Sequence, residues 1–157
     1  MADVNHATLT DPELHEPKGV AAAASGEVYV ADGGGSGAWT TINNKDLVFV
    51  HYRFDNISTA SSQWIIPGIA GTITKIQTVI NGAIATADCG MSFEIAGTPI
   101  TSGGITIAFS GSAAGDIDSS TPSAANVVTA NQAIEIISDG ASTNNIDATV
   151  TFTIDVS

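Results

Sequence analysis

From residue 146 onward the chain alternates without a break. Ile146, Ala148, Val150, Phe152, Ile154 and Val156 share one parity, while Asp147, Thr149, Thr151, Thr153 and Asp155 share the other. A period of two sends successive side chains to opposite faces of a strand, and threonine suits a solvated strand face. Met91, Phe93 and Ile95 alternate with Ser92 and Glu94. Ile105, Ile107 and Phe109 alternate with Thr106 and Ala108, and Ile134 and Ile136 flank Glu135. Leu47 to Phe54 and Thr72 to Ile80 are apolar on less regular patterns, which predicts strands buried on both faces. Between these runs stand turn clusters: Asn81-Gly82, Gly97-Thr-Pro99, Ser102-Gly-Gly104, Gly111 to Pro122 and Asp139-Gly140. Asn-Gly and Asp-Gly favour tight turns because both residues tolerate positive φ. Six or seven strands so punctuated predict an all-β fold, an antiparallel β-sandwich of jelly-roll-like form. Only Ser123 to Gln132 has room for a short helix, and Val127, Val128 and two asparagines oppose it.

The pattern changes near residue 40. Before it the large apolar residues are few and scattered: Val4, Leu9, Leu14 and Val20. Pro12 and Pro17 bias the residues before them away from helix. Glu27 to Ala31 reads as a short strand, and Gly33 to Gly37 as a flexible break. Residues 1–39 are therefore expected to form an extended N-terminal arm without a core of its own, and 40–157 the sandwich. Ordering such an arm costs roughly 1–2 kcal/mol per residue, so a partner surface has to offset it. Leu9, Leu14, Val20 and Trp39 are the apolar anchors available for that contact.

Charge narrows the partners. The 157 residues hold 4 Lys and Arg against 16 Asp and Glu, a formal net charge of −12. Lys18, Lys45, Arg53 and Lys75 cannot build the basic patch that phosphate neutralisation requires, so neither a nucleic acid nor an anionic membrane surface is an expected partner. Charged residues make up 13% and apolar ones 43%, which is not the composition of a disordered chain. The longest apolar runs, such as Val20 to Ala24, fall far short of the ~20 residues that span a bilayer. Met1 to Glu16 has no basic residue and no apolar stretch, so it does not read as a signal peptide, and synthesis in the cytoplasm is expected. One cysteine, Cys89, excludes an intrachain disulfide.

Candidate chemistry is sparse. Gly33-x-Gly35-x-x-Ala38 formally fits a dinucleotide fingerprint, but Trp39-Thr-Thr-Ile-Asn-Asn after it offers no helix N-terminus for a pyrophosphate. The three histidines, His6, His15 and His51, lack the spacing of a zinc site. His6 and His15 fit hydrogen-bonding contacts of the arm, and His51 shares a strand face with Leu47, Phe49 and Arg53. Asp116-x-Asp118 with Ser119, Ser120 and Thr121 supplies loop oxygens without the glycine and glutamate of an EF-hand. No G-x-S-x-G elbow is present. Aromatics, at 6%, are too scarce for the platforms that accompany a glycosidase carboxylate pair. Asn56-Ile-Ser58 matches a glycosylation acceptor that has no meaning without secretion. Cys89, between Asp88 and Gly90, has no adjacent cation and is expected to be an inert thiol in a turn. No metal, no cofactor and no enzymatic activity are expected.

Several stretches resemble virion structural proteins of tailed bacteriophages. They are Leu14-His-Glu-Pro-Lys-Gly19, Val28-Tyr-Val-Ala-Asp-Gly33, Ser36-Gly-Ala-Trp39, Ile73-Thr-Lys-Ile76 and Val79-Ile-Asn-Gly-Ala-Ile-Ala-Thr-Ala-Asp88. Ile105-Thr-Ile-Ala108, Gly111-Ser-Ala-Ala-Gly-Asp116 and Thr121-Pro-Ser-Ala-Ala-Asn126 complete the set. Together they extend over most of the chain, and the pattern is that of capsid decoration (cement) and head-fibre proteins, with related modules on tail fibres. The resemblance implies a β-sandwich or jelly-roll body, a homotrimer, and an arm bound to the major capsid protein through residues such as Leu9, Leu14, His15, Pro17, Val20 and Trp39. It places the protein on the outside of the virion. The rival expectation is a receptor- or glycan-binding module on a fibre, with Gly111 to Pro122 and Asp139 to Asn145 as recognition loops.

Overall fold

The computed structural model describes residues 23–31, 34, 37–41 and 46–157. The chain divides into two compact units, Met1–Asn44 and Lys45–Ser157. In the first, β1 (Glu27–Ala31) and β2 (Gly37–Thr41) form a two-stranded antiparallel sheet. The strand expected at Glu27 to Ala31 is present. Its partner β2 begins at the last glycine of the run taken as a flexible break and extends past residue 39.

The second unit is all strand and turn, in two five-stranded antiparallel sheets. One, the β5 sheet, contains β3 (Leu47–Phe54), β12 (Ala148–Asp155) and β5 (Gly71–Ile80) in that order, with β10 (Val127–Val128) and β9 (Ile117–Ser120) beyond β5. The other, the β6 sheet, runs β4 (Ser61–Ile65), β11 (Ile134–Ser138), β6 (Cys89–Ile95), then β7 (Thr98–Pro99) and β8 (Ile105–Ile107). Their inner faces meet in one hydrophobic core, a β-sandwich arrangement. Val150, Phe152 and Ile154 of the first sheet and Met91, Phe93, Ile134 and Ile136 of the second are buried there. The Phe93 and Phe152 rings meet edge to face at 5.5 Å between the sheets. Ser123 to Gln132 forms no helix and contributes β10 instead.

The irregular patterns have separate causes. In β5, Ile73 and Ile76 both face the core although they lie three residues apart, because a β-bulge between the Ile154–Ile73 and Lys75–Thr153 pairs inserts Thr74 and shifts the parity. In β3 the expectation of burial on both faces fails. β3 pairs with β12 alone among the described strands, so it is an edge, and its outward residues Leu47, Phe49, His51 and Arg53 are exposed. Apolar content marked a face turned to solvent here.

Glycines act in two different ways. Asn81-Gly82 does not use positive φ; Gly82 is small because the Ile146 side chain comes within 2.7 Å of where a Cβ would stand. Gly140 does adopt φ +68 and also packs against the Thr59–Ala60 backbone. Beside it the buried Ser138 hydroxyl donates to the Ile57 carbonyl at 2.7 Å and accepts the Gly140 amide at 3.2 Å, tying the β3–β4 loop to the end of β11.

Among the described residues one core hydroxyl is unpartnered. Thr78 is 1% exposed, and its Oγ1 makes no hydrogen bond. A buried polar group without a partner costs about 1–3 kcal/mol. Thr78→Val, which keeps the shape, is expected to raise stability by about 1 kcal/mol in urea unfolding; a loss of stability would show that the hydroxyl is satisfied.

Candidate functional site

Leu9, Leu14, His15, Pro17 and Val20 lie outside the described residues, as does His6. Trp39 lies in β2, half-buried, with its ring edge to face on Tyr29 at 5.4 Å. Gly37 makes room for that pair, since a Cβ there would stand 2.8 Å from the Tyr29 ring. Val28 and Val30 are exposed.

The sandwich offers its most distinctive chemistry on the outer face of the β5 sheet. Register assigns Leu47, Phe49, His51 and Arg53 of β3, the Thr149, Thr151, Thr153 and Asp155 row of β12, and Thr72, Lys75, Gln77 and Val79 of β5 to that face. Val127 and Ile117 continue it at the far side. Leu47, Phe49, Ile117 and Val127 are four of the seven large apolar side chains exposed in this unit, the others being Trp64, Ile66 and Phe109. The threonine face expected to be solvated is the middle of an apolar-rimmed surface, and Thr153 on it is buried at 7% exposure. That Phe49 and Ile117 would share it could not be read without the strand order.

The charges on this face depart from those of the chain. Arg53 and Lys75, the described members of the four Lys and Arg, both project from it, with His51 between. His51 Nδ1 lies 2.9 Å from Thr151 Oγ1, so the exposed ring is hydrogen-bonded across the strand pair. Arg53 Nε donates to Asp147 Oδ2 at 2.8 Å, and Asn81 donates to the same oxygen. Those two hydrogen bonds, Arg53 first, hold the Asp147 carboxyl below the usual carboxylate range. A carboxyl with a lowered folded-state pKa adds stability above its unfolded value of about 3.9, and that stability is lost as pH falls through the folded value. Arg53→Met is therefore expected to flatten the acid limb of stability below about pH 4, and an unchanged limb in urea unfolding would refute the link.

The remaining candidates disperse. Asp116 and Asp118 line a cleft of about 190 Å³ with Ser110 and Ser112. Asp116 Oδ2 accepts the Ala113 amide at 2.6 Å, and burial, then the Asp116 charge, raises the Asp118 carboxyl. A second cleft, of about 470 Å³, is lined by Gly90, Ser92, Gly104, Thr106, Ile137 and Asp139 among others. Among the described residues no aromatic ring lines either. Among the described residues no three of His, Cys, Asp and Glu gather within metal-holding reach. Cys89 does not stand in a turn: it opens β6 and points into the core. Burial pushes its thiol up, as does the Asp139 charge, against a lowering by the Ser138 hydrogen bond. It should react with a disulfide reagent only after unfolding, and fast labelling of the native protein would contradict the buried position.

Compared with models of protein families, with curated proteins and with solved structures, the chain matches none of them.

Proposed function

We propose that this chain is a capsid decoration protein of a tailed bacteriophage, with a jelly-roll-like body that assembles with copies of itself and an N-terminal arm that binds the outside of the major capsid lattice. The observation that carries the reading is the division of the chain. A separate N-terminal unit bears the motifs Leu14 to Gly19 and Val28 to Gly33, and a β-sandwich carries one broad apolar-rimmed face of low negative charge.

The action is mechanical. Many copies bridge neighbouring capsid subunits and add buried area at joints loaded by packaged DNA. A contact of standard size, about 1,600 Å² in total, supplies the few kcal/mol each copy needs. Arms linked through a trimeric body raise the effective affinity further. The net charge of −12 suits the outside of the shell, where the body stays clear of the DNA inside. The protein is made in the host cytoplasm and acts on the virion exterior, with no cofactor, nucleic acid or membrane involved. Leu9, Leu14, His15, Pro17, Val20 and Trp39 carry the capsid contact.

Co-sedimentation with empty heads tests the arm. Because β2 runs to Thr41, the truncation belongs at Lys45. Full-length protein should bind saturably, and residues 45–157 should keep their strand circular dichroism and lose binding. Undiminished binding of the truncated chain would place the capsid contact on the sandwich instead.

A further inference from the structure

The two outer faces of the sandwich carry opposite charges at matching places. On the β5 sheet one row across the strands reads Phe49 on β3, Thr153 on β12 and Lys75 on β5. On the β6 sheet a row reads Trp64 on β4, Glu135 on β11 and Glu94 on β6. Neighbouring strands lie roughly 4.8 Å apart, so each row sets an aromatic on the edge strand about 10 Å from a charge two strands inward. Phe49 is 57% and Trp64 59% exposed. Glu94 and Glu135 stand directly opposite one another on adjacent strands, a pairing that like charge makes unfavourable. Neither their side chains nor that of Lys75 makes a hydrogen bond or ion pair among the described residues.

The geometry points to a heterologous contact between copies of this chain, the β5 face of one packing on the β6 face of the next, with Phe49 beside Trp64 and Lys75 over Glu94 and Glu135. This rests on the self-assembly part of the reading above and names its surfaces. A second copy is the occupant the charges favour. A chain of net charge −12 repels its own kind over most of its surface, but on the β5 face Arg53 and Lys75 offset Asp147 and Asp155, leaving Lys75 free to meet the carboxylate pair of the β6 face. The aromatic pair supplies an apolar anchor at one side of the contact, and the charges set register and exclude the reverse pairing.

The match also fixes how copies follow one another. β8 lies against β9 at one side of the sandwich, so β3 and β4 share the opposite side. Setting aromatic on aromatic keeps that side of every copy facing the same way. Flat packing of two opposite faces stacks copies into an open row, and a heterologous contact closes into a ring only where each step also turns the copy by a fraction of a full circle.

Sedimentation velocity on the full chain at about 10 μM tests the pairing. The wild type should sediment as an oligomer. Lys75→Glu alone, and Glu94→Lys with Glu135→Lys, should each shift it to monomer with the thermal melt retained. Combining all three substitutions reverses both sides of the contact and should restore the oligomer, which a self-matching interface would not do. A monomeric wild type, an oligomeric K75E, or a triple variant that stays monomeric overturns the pairing. Head binding measured beside it separates the two claims: a monomer that binds heads defeats the pairing and the self-assembly it rests on but leaves the capsid contact of the arm standing, and an oligomer that ignores heads defeats the capsid reading alone.

Discussion

Phe152→Ala is expected to lower the unfolding free energy by about 3–5 kcal/mol, the cost of removing a buried aromatic and leaving part of its volume empty. Phe152 is 0% exposed in the middle of β12, the strand that pairs with both β3 and β5. Its ring crosses to the other sheet and meets Phe93 at 87° between planes. The loss therefore falls on the contact that joins the layers rather than on one strand pair. Such edge-to-face pairs contribute about 0.5–1.5 kcal/mol beyond the area they bury, so a double-mutant cycle with Phe93→Ala should show coupling of that size. Denaturant unfolding measures both. A cost under about 1 kcal/mol would mean that the two sheets do not share this core.

Gly140→Ala is the second large effect, and it acts through the backbone. At φ +68 an alanine pays about 1–2 kcal/mol for the left-handed region. Its Cβ would also land on the Ala60 backbone nitrogen, and the Thr59 carbonyl carbon stands 2.7 Å away. Backbone cannot swing aside as a side chain does, so the β3–β4 loop has to part from the end of β11. The Ser138 hydrogen bonds to Ile57 and Gly140 weaken with it. The total is expected to reach about 3 kcal/mol or more. Gly97→Ala is the control: φ is +79, but nothing stands within 4 Å of its Cβ. It should cost only the conformational part, about 1–2 kcal/mol. Equal losses at the two positions would refute the close approach at Gly140.

Much of this fold was legible from alternation. The inward set of β12 was read residue by residue, as were Met91, Phe93 and Ile95 and the pair Ile134 and Ile136. Phe109 followed the same pattern yet is 45% exposed, because β8 ends at Ile107 and the chain turns away. A bulge is invisible to a period-two reading, so β5 read as irregular. An edge strand with an apolar outer face looks in sequence like a strand buried on both sides, so β3 read as interior. The rows that align Phe49 with Lys75 and Trp64 with Glu94 depend on which strands are neighbours, a property no local pattern holds. Of the arm residues expected to touch the capsid, only Trp39 falls among those described, and its place against Tyr29 comes from the β1–β2 register, which single-strand propensities do not encode.

Copy number and location on the virion test the capsid reading most directly. Quantitative mass spectrometry of this chain against the major capsid protein, on whole virions and on separated heads and tails, gives both. The account predicts on the order of hundreds of copies per virion, all remaining with the heads, as a repeating lattice site requires. A stoichiometry of a few copies, or copies that leave with the tails, would contradict it and assign the chain to a fibre.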